Sequence, residues 1–270
     1  MSSSSIYSAN NKAEFTNHIS IKHHLSIVMS ESYFEILKTF RQPGFVFPSL
    51  AFPLMFYIFF GIIFNRNGMS GQMPSYLMAT YGVFGIMGPA LFSFGVGVAM
   101  EKSQGWFDLK QSSPIPPSAY ILARISLSML FALIIIIELF TAGALMGDVR
   151  LAHGQWLLLT LVLMLGTIPF CAIGLYMGLS LKSQAAPAVV NLIYLPTSFL
   201  AGLWIPIQFF PAVLQSIAQF LPAYHLAQLS LKVINMDLGQ NIIWHLLVLT
   251  AYTLLFGGLS LRAYYTLHAE

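Results

Sequence analysis

Residues Ser118 to Gly147 read SAYILARISLSMLFALIIIIELFTAGALMG, thirty positions in which only Arg124 and Glu138 carry charge. A helix needs about 20 apolar residues to cross the hydrocarbon core of a bilayer. This stretch exceeds that length, so it tilts or extends into the interface. Five further segments have the same character: 45–64, 76–100, 154–181, 186–204 and 241–263. Across all 270 residues, 57% are hydrophobic and 8% are charged. A soluble domain carries roughly 25% charged residues, because these cover its surface. Twelve basic and nine acidic side chains cannot coat a chain of this size, which excludes a water-soluble monomer. The long unbroken apolar runs also exclude a transmembrane barrel, whose strands alternate in polarity. Twenty Gly and 14 Pro argue against a long coiled coil. The expected fold is an all-α integral membrane protein with six transmembrane helices.

The fifth segment is the least regular. It runs through Pro187 and Pro196 to Gly202-Leu203-Trp204-Ile205-Pro206, then continues past Pro211 and Pro222 as a moderately apolar stretch to residue 234. Pro and Gly break helices. One span followed by short re-entrant helices therefore suits this region better than two clean spans.

Ahead of the first span, Tyr33, Ile36, Leu37 and Phe40 fall at helical spacing, while Glu31, Glu35 and Lys38 occupy another face. This predicts an interfacial amphipathic helix over 30–42, with one favourable pair three residues apart, ended by Pro43-Gly44. It serves either as a docking element or as a plain anchor. Residues 1–29, with four consecutive Ser, read as a polar, flexible segment without the features of a signal peptide. The domain division is thus 1–29 and a transmembrane domain over 30–270.

Six spans put both termini on one side. If that side is the cytoplasm, nine basic residues (Lys12, Lys22, Lys38, Arg41, Lys102, Lys110, Arg124, Lys182, Arg262) lie inside, against Arg66, Arg150 and Lys232 outside. This positive-inside asymmetry predicts a multi-pass protein of the cytoplasmic (inner) membrane with both termini cytoplasmic. The net charge of +3 then reflects topology, not nucleic-acid binding. Arg124 is expected to snorkel to the cytoplasmic face. Cys171, the single cysteine, reads as a small buried hydrophobe.

The chain has no Gly-rich phosphate loop, no His-Glu-x-x-His pair and no paired intramembrane carboxylates. An enzyme is therefore not expected, nor is a metal site. The densest polar patch is the segment 101–117, from Glu101-Lys102-Ser103-Gln104-Gly105-Trp106 to Pro117. It is either a knob for another protein or an ordinary loop held to the interface by Trp106. Glu138 lies deep in the third span, where an unpaired carboxylate costs several kcal/mol. It is either a bond to a neighbouring helix, for instance to Ser or Thr, or an ion site. Gly143-x-x-x-Gly147 and Gly174-x-x-x-Gly178 suit close helix packing. The Phe-rich first span offers an apolar route or simple lipid contact.

Taken in order, three groups of residues resemble the type-2 ABC exporter permease family over about 30–265. They are Arg41-Gln42-Pro43 with Pro48 and Phe52-Pro53-Leu54; Glu101-Lys102 to Gly105, then Ser113-Pro114-Ile115 and Tyr120; and Ala201-Gly202-Leu203-Trp204-Ile205-Pro206, then Pro211 and Leu221-Pro222-Ala223-Tyr224-His225. Ala201 departs from the Ser common there. The resemblance implies a half-transporter that pairs with a second copy and with two ATP-binding-cassette ATPase subunits, which hold the ATP and Mg; this chain itself needs no cofactor. It implies that Glu101, Lys102, Gly105 and Trp106, with Glu31 and Glu35 of the preceding helix, couple to the ATPase. Tyr57, Phe60, Tyr81, Phe84, Asn191, Tyr194 and Thr197 would line the substrate path, and Gly202, Trp204 and Pro206 the outer gate. The expected cargo is amphipathic or lipid-like: a drug, a lipid or a lipid-linked glycan. The competing reading is an ion-coupled carrier or channel using Glu138.

Overall fold

The computed structural model describes residues 21–64, 72–105 and 117–267. These residues form helices and contain no strand. Helix α1 is Ile21–Phe40, and α2 is Pro43–Phe56, continued by a π-helical segment, Tyr57–Ile63. Helix α3 is Met73–Phe92, followed by a π-helical segment at Ser93–Gly97 and the short α4, Val98–Ser103. Then come α5 (Pro117–Met146), α6 (His153–Ser180) and α7 (Ala186–Leu200). Past a 3-10 turn at Ile207–Phe209 lie α8 (Ala212–Ala218), α9 (Pro222–Val233) and α10 (Ile242–Leu267).

Among the described residues, five helices are long and apolar enough to cross a bilayer: Pro43–Ile63, Met73–Ser103, Ser118–Met146, His153–Ser180 and Ile242–Thr266. The expected fifth crossing, 186–204, holds the shorter apolar helix α7, 15 residues long. Its end is set at Gly202, whose φ of +76° belongs to the left-handed region that glycine alone enters without strain. A Cβ there would also stand 2.9 Å from Ile207 Cβ. The chain turns back sharply at this point, and the short helices α8 and α9 follow, as the Pro and Gly positions predict.

Helix α3 is the centre of the bundle and packs on α2, α5, α6, α7 and α9. Its close contact with α6 depends on the predicted small-residue pairs. A Cβ on Gly174 would lie 3.0 Å from the Ala90 carbonyl, and one on Gly178 2.3 Å from the Phe94 carbonyl. Gly143 and Gly147 open α5 to Tyr57 in the same way, since a Cβ on either would stand 3.0 Å from the Tyr57 hydroxyl. Cys171 is buried, as its surroundings in the sequence predict. Helices α2, α7 and α10 keep large apolar side chains exposed, among them Phe47, Leu192 and Leu254. These are surfaces for lipid or for another membrane-embedded chain.

Helix α1 differs from its expected form in two ways. It begins at Ile21, nine residues before the expected start, because Leu25 and Met29 continue at four-residue steps the series Tyr33, Leu37. Part of its polar face also turns inward, although Lys38 stays exposed and Ile36 and Leu37 are half-buried. Tyr33 and Phe34 are 63% and 62% exposed, whereas the Glu35 side chain is only 12% exposed and faces α5. A buried cation on α5 draws Glu35 inward.

Candidate functional site

That cation is Arg124. It does not snorkel as the sequence alone suggests; it is 2% exposed. Its Nη2 lies 2.6 Å from Glu101 Oε1 of α4 and 3.2 Å from Glu35 Oε1 of α1. Its Nη1 donates to the Ser93 carbonyl, at the first residue of the π-helical segment of the α3 span. Such segments displace the regular hydrogen-bond ladder and are frequent at functional sites. The guanidinium also lies 5.1 Å from the centre of the Tyr120 ring. Tyr120 donates its hydroxyl to Glu101 Oε2 at 2.6 Å. Lys38 completes the cluster, bonding Glu101 and lying 3.2 Å from Glu35 Oε2, the favourable three-residue pair.

Two carboxylates and two cations balance in charge. They come from three elements far apart in sequence, and each carboxylate spans between elements. Gly97 makes room for the arrangement: a Cβ on it would stand 2.6 Å from Arg124 Nη1. Sequence reasoning selected Glu35 and Glu101 and the Glu35–Lys38 pair, but missed Arg124, Tyr120 and Gly97, and the link from Lys38 to Glu101. The available signal was an Arg seven residues inside a span, which favours an acidic partner over an isolated charge.

The remaining coupling residues surround this cluster. Lys102 turns away from it and donates to the Leu179 carbonyl at the end of α6. Glu31 sits half-buried one turn before Glu35. Gly105 closes the α4 end with a φ of +73°. Trp106 lies outside the described residues.

A second feature is an apolar groove of about 610 Å³ between α2, α3 and α7, reaching the entry to α2 at Gln42. Phe84, Asn191, Tyr194 and Trp204 from the expected path and gate line it, together with Phe52, Phe56 and Phe92. Phe84 and Tyr194 stack at 5.0 Å between centroids, and the Tyr194 hydroxyl donates to the Phe84 carbonyl at 3.1 Å. Trp204 stacks on Phe56 at 5.8 Å and meets the edge of Phe84 at 5.6 Å. The other path residues stand outside the lining. Tyr57 and Tyr81 are enclosed in the core, Phe60 is 45% exposed on α2, and Thr197 is half-buried on α7. Gly202 forms the turn above the groove, and Pro206 is buried just beyond it.

Glu138 does not form the expected bond to a Ser or Thr of a neighbouring helix. Its Oε2 is buried and has no hydrogen-bond partner among the described residues. No group of three or more His, Cys, Asp or Glu that could hold a metal occurs among them either.

Residues 31–235 match the family model described as ABC-2 type transporter. The chain belongs to the ABC-2 type transporter family. The matched span begins within α1 and ends after α9, so it takes in both the charged cluster and the aromatic groove. The permease is also 30% identical over 239 residues to "Putative transport permease YvfS" of Bacillus subtilis (strain 168), covering 87% of this chain and 96% of that relative. It is therefore the membrane permease subunit of an ABC transporter, not an enzyme in itself. Such a subunit works with an ABC ATPase carried on a separate chain.

Proposed function

We propose that this permease exports an amphipathic or lipid-like substrate, such as a drug, a lipid or a lipid-linked glycan. It would act as a homodimer on two ATPase subunits, which bind the ATP and Mg. It would reside in the inner membrane with both termini cytoplasmic, the arrangement that the distribution of basic residues favours. The observation that carries the reading is the Glu35–Lys38–Glu101–Arg124 cluster. A displacement imposed on the loop after Gly105 reaches α4 first. Glu101 then passes it to α1 through Lys38 and to α5 through Arg124, so three elements move together and not singly. Buried charges held in this way resist independent sliding, because separating them leaves a charge unpaired in low dielectric.

The groove between α2, α3 and α7 is the substrate path in this reading. Its open side faces the exposed apolar surfaces of α2 and α7, where a second copy would close it. Aromatic walls with few polar groups select for apolar bulk more than for any particular headgroup. The turn Gly202–Pro206 and Trp204 form its outer gate.

Reconstitution of the permease with its ATPase subunit in proteoliposomes tests the coupling. Glu101→Gln is expected to leave basal ATP hydrolysis within about twofold of wild type and to lower ATP-driven export at least about tenfold, a change of about 1.4 kcal/mol. Full export by Glu101→Gln together with an unaltered complex would overturn the coupling role. A second reading, ion-coupled flux through Glu138, rests on the unpartnered Oε2 of that residue. It requires flux from this chain alone, without ATP, that Glu138→Gln abolishes.

A further inference from the structure

A second apolar cavity, of about 440 Å³, lies on the other side of the bundle, between α5, α6 and α10. It shares no lining residue with the aromatic groove, and Tyr120, which bonds Glu101 of the charged cluster, forms part of its wall. Along α10 it runs from Thr253 to Tyr265. Twelve residues at about 1.5 Å each make this about 18 Å, slightly more than half of a hydrocarbon core about 30 Å thick. The cavity is thus about one leaflet long. Its walls include Ile125, Ile168 and Leu175, with the single thiol, Cys171, at its back. Such walls give water few partners, and an empty space would forfeit the dispersion contacts of every atom lining it.

The glycines show that the space is not a by-product of helix packing. On α6, a Cβ at Gly174 or Gly178 would strike the backbone of the neighbouring α3 span. On α10, a Cβ at Gly257 would meet nothing within 4 Å, although Gly257 lines the cavity. Gly257 therefore keeps a notch open and does not serve a close helix contact. Leu254, Leu255 and Leu261 of α10 are exposed, so this flank of the bundle faces the bilayer.

Cations collect at one end only. Leu179 lines the cavity, and its carbonyl accepts from Lys102 Nζ. Lys182 is exposed three residues further on, and Arg262 is exposed directly after the lining residue Leu261. Tyr264 and Tyr265 line the same end, at the position where interfacial aromatic side chains gather in membrane proteins.

We propose that this cavity seats one acyl chain of an anionic phospholipid, whose phosphate is held at the rim by Lys102, Lys182 and Arg262. The apolar shaft takes a chain of leaflet length, and the cations select the negative headgroup. The lipid so bound fills the space between α5 and α10, beside the direct contact of α10 with α6.

The test uses the full-length chain, purified in detergent and supplied with phosphatidylglycerol or phosphatidylcholine. Native mass spectrometry is expected to show one phosphatidylglycerol retained per chain. Gly257→Phe places a ring in the notch, starting from a Cβ that meets nothing within 4 Å, and is expected to lower retention at least about tenfold. The pair Lys182→Gln with Arg262→Gln is expected to abolish the preference over phosphatidylcholine. A readout free of substitutions comes from Cys171. Alkylation of the wild-type thiol by N-ethylmaleimide is expected to slow at least about fivefold when phosphatidylglycerol is added. Equal retention by wild type and Gly257→Phe, or a Cys171 rate indifferent to phosphatidylglycerol, overturns the site. Equal retention of the two lipids by the wild type overturns the anionic headgroup.

Discussion

Replacing Arg124 by Gln removes one cation from a cluster that balances two carboxylates with two cations. Both Arg124 and Glu101 are nearly excluded from solvent, at 2% and 9% exposure. At an effective dielectric of about 20, unit charges at the observed 2.6 Å attract by about 6 kcal/mol. The cost of desolvating the two ions offsets much of this gain. What the substitution exposes is the remaining penalty: Glu35 and Glu101 share Lys38 alone, and a buried charge is left uncompensated. Removing one partner of such a pair costs about 3–5 kcal/mol. For a chain of this size that is a fall of roughly 6–20 °C in melting temperature. The loss is measured on the detergent-purified protein by thermal denaturation followed through tryptophan fluorescence. The double variant Arg124→Gln with Glu101→Gln restores charge balance through the remaining Glu35–Lys38 pair. It is expected to recover at least about 2 kcal/mol of the loss, since residues in one network do not act additively. A melting temperature for Arg124→Gln within about 2 °C of wild type would refute the reasoning. It would mean that the guanidinium reaches water after all and that the carboxylates do not depend on it.

Gly178→Val places side-chain carbons against the Phe94 carbonyl, which a Cβ already approaches to 2.3 Å. Because backbone and not a flexible side chain must yield, it is expected to cost at least about 3 kcal/mol, seen as loss of the folded fraction on size exclusion. Gly202→Ala forces a non-glycine residue to a φ of +76° against Ile207. A penalty of about 1–3 kcal/mol is expected by thermal denaturation. Tyr194→Phe keeps the stack on Phe84 but loses the 3.1 Å bond to its carbonyl. It should cost about 1 kcal/mol, whereas Tyr194→Ala costs at least about 2 kcal/mol more through lost packing.

A further expectation concerns pH. His225 Nε2 and the Gln219 carbonyl are 2.8 Å apart, so Nε2 carries the proton, and its Nδ1 accepts from His245 Nδ1 at 2.8 Å. Burial lowers the His225 pKa from its ordinary value, outweighing the opposing Gln219 bond. A histidine held neutral in the folded state contributes its full stability above the unfolded value of about 6.5. The unfolded chain takes up the proton first as pH falls below that value, so stability declines. Melting temperatures at pH 7.5 and 5.5 should therefore differ more for wild type than for His225→Asn, and equal differences would count against this assignment.

The membrane class and most of the helix positions were legible in composition and run length, because insertion depends on summed hydrophobicity and on little else. The five long spans coincide with expected apolar segments to within a few residues. The shortness of α7 and the turn after it were likewise signalled by Pro187, Pro196 and Gly202. The start of α1 was less legible. Ile27 and Val28 fill the step between Leu25 and Met29, so no clean apolar period marks one helical face there.

The orientation of α1 was not legible at all. Periodicity shows that a helix has two faces, but which face turns inward depends on what stands opposite. In water the apolar face of α1 would be buried. Beside a bilayer the exterior also accepts Tyr33 and Phe34, and the buried Arg124 attracts Glu35. The path residues divide for a related reason. Tyr57 and Phe56 are adjacent on one helix, yet Tyr57 is enclosed beside Gly143 and Gly147 while Phe56 lines the groove. By itself, then, the sequence determined that this chain spans a membrane, where its helices run and which polar residues would be costly within them. Only the tertiary structure decided how those costs are met. Arg124 finds Glu101 and Glu35, 23 and 89 residues away in the chain, because electrostatic pairing depends on distance in space, and one-dimensional patterns carry no record of it.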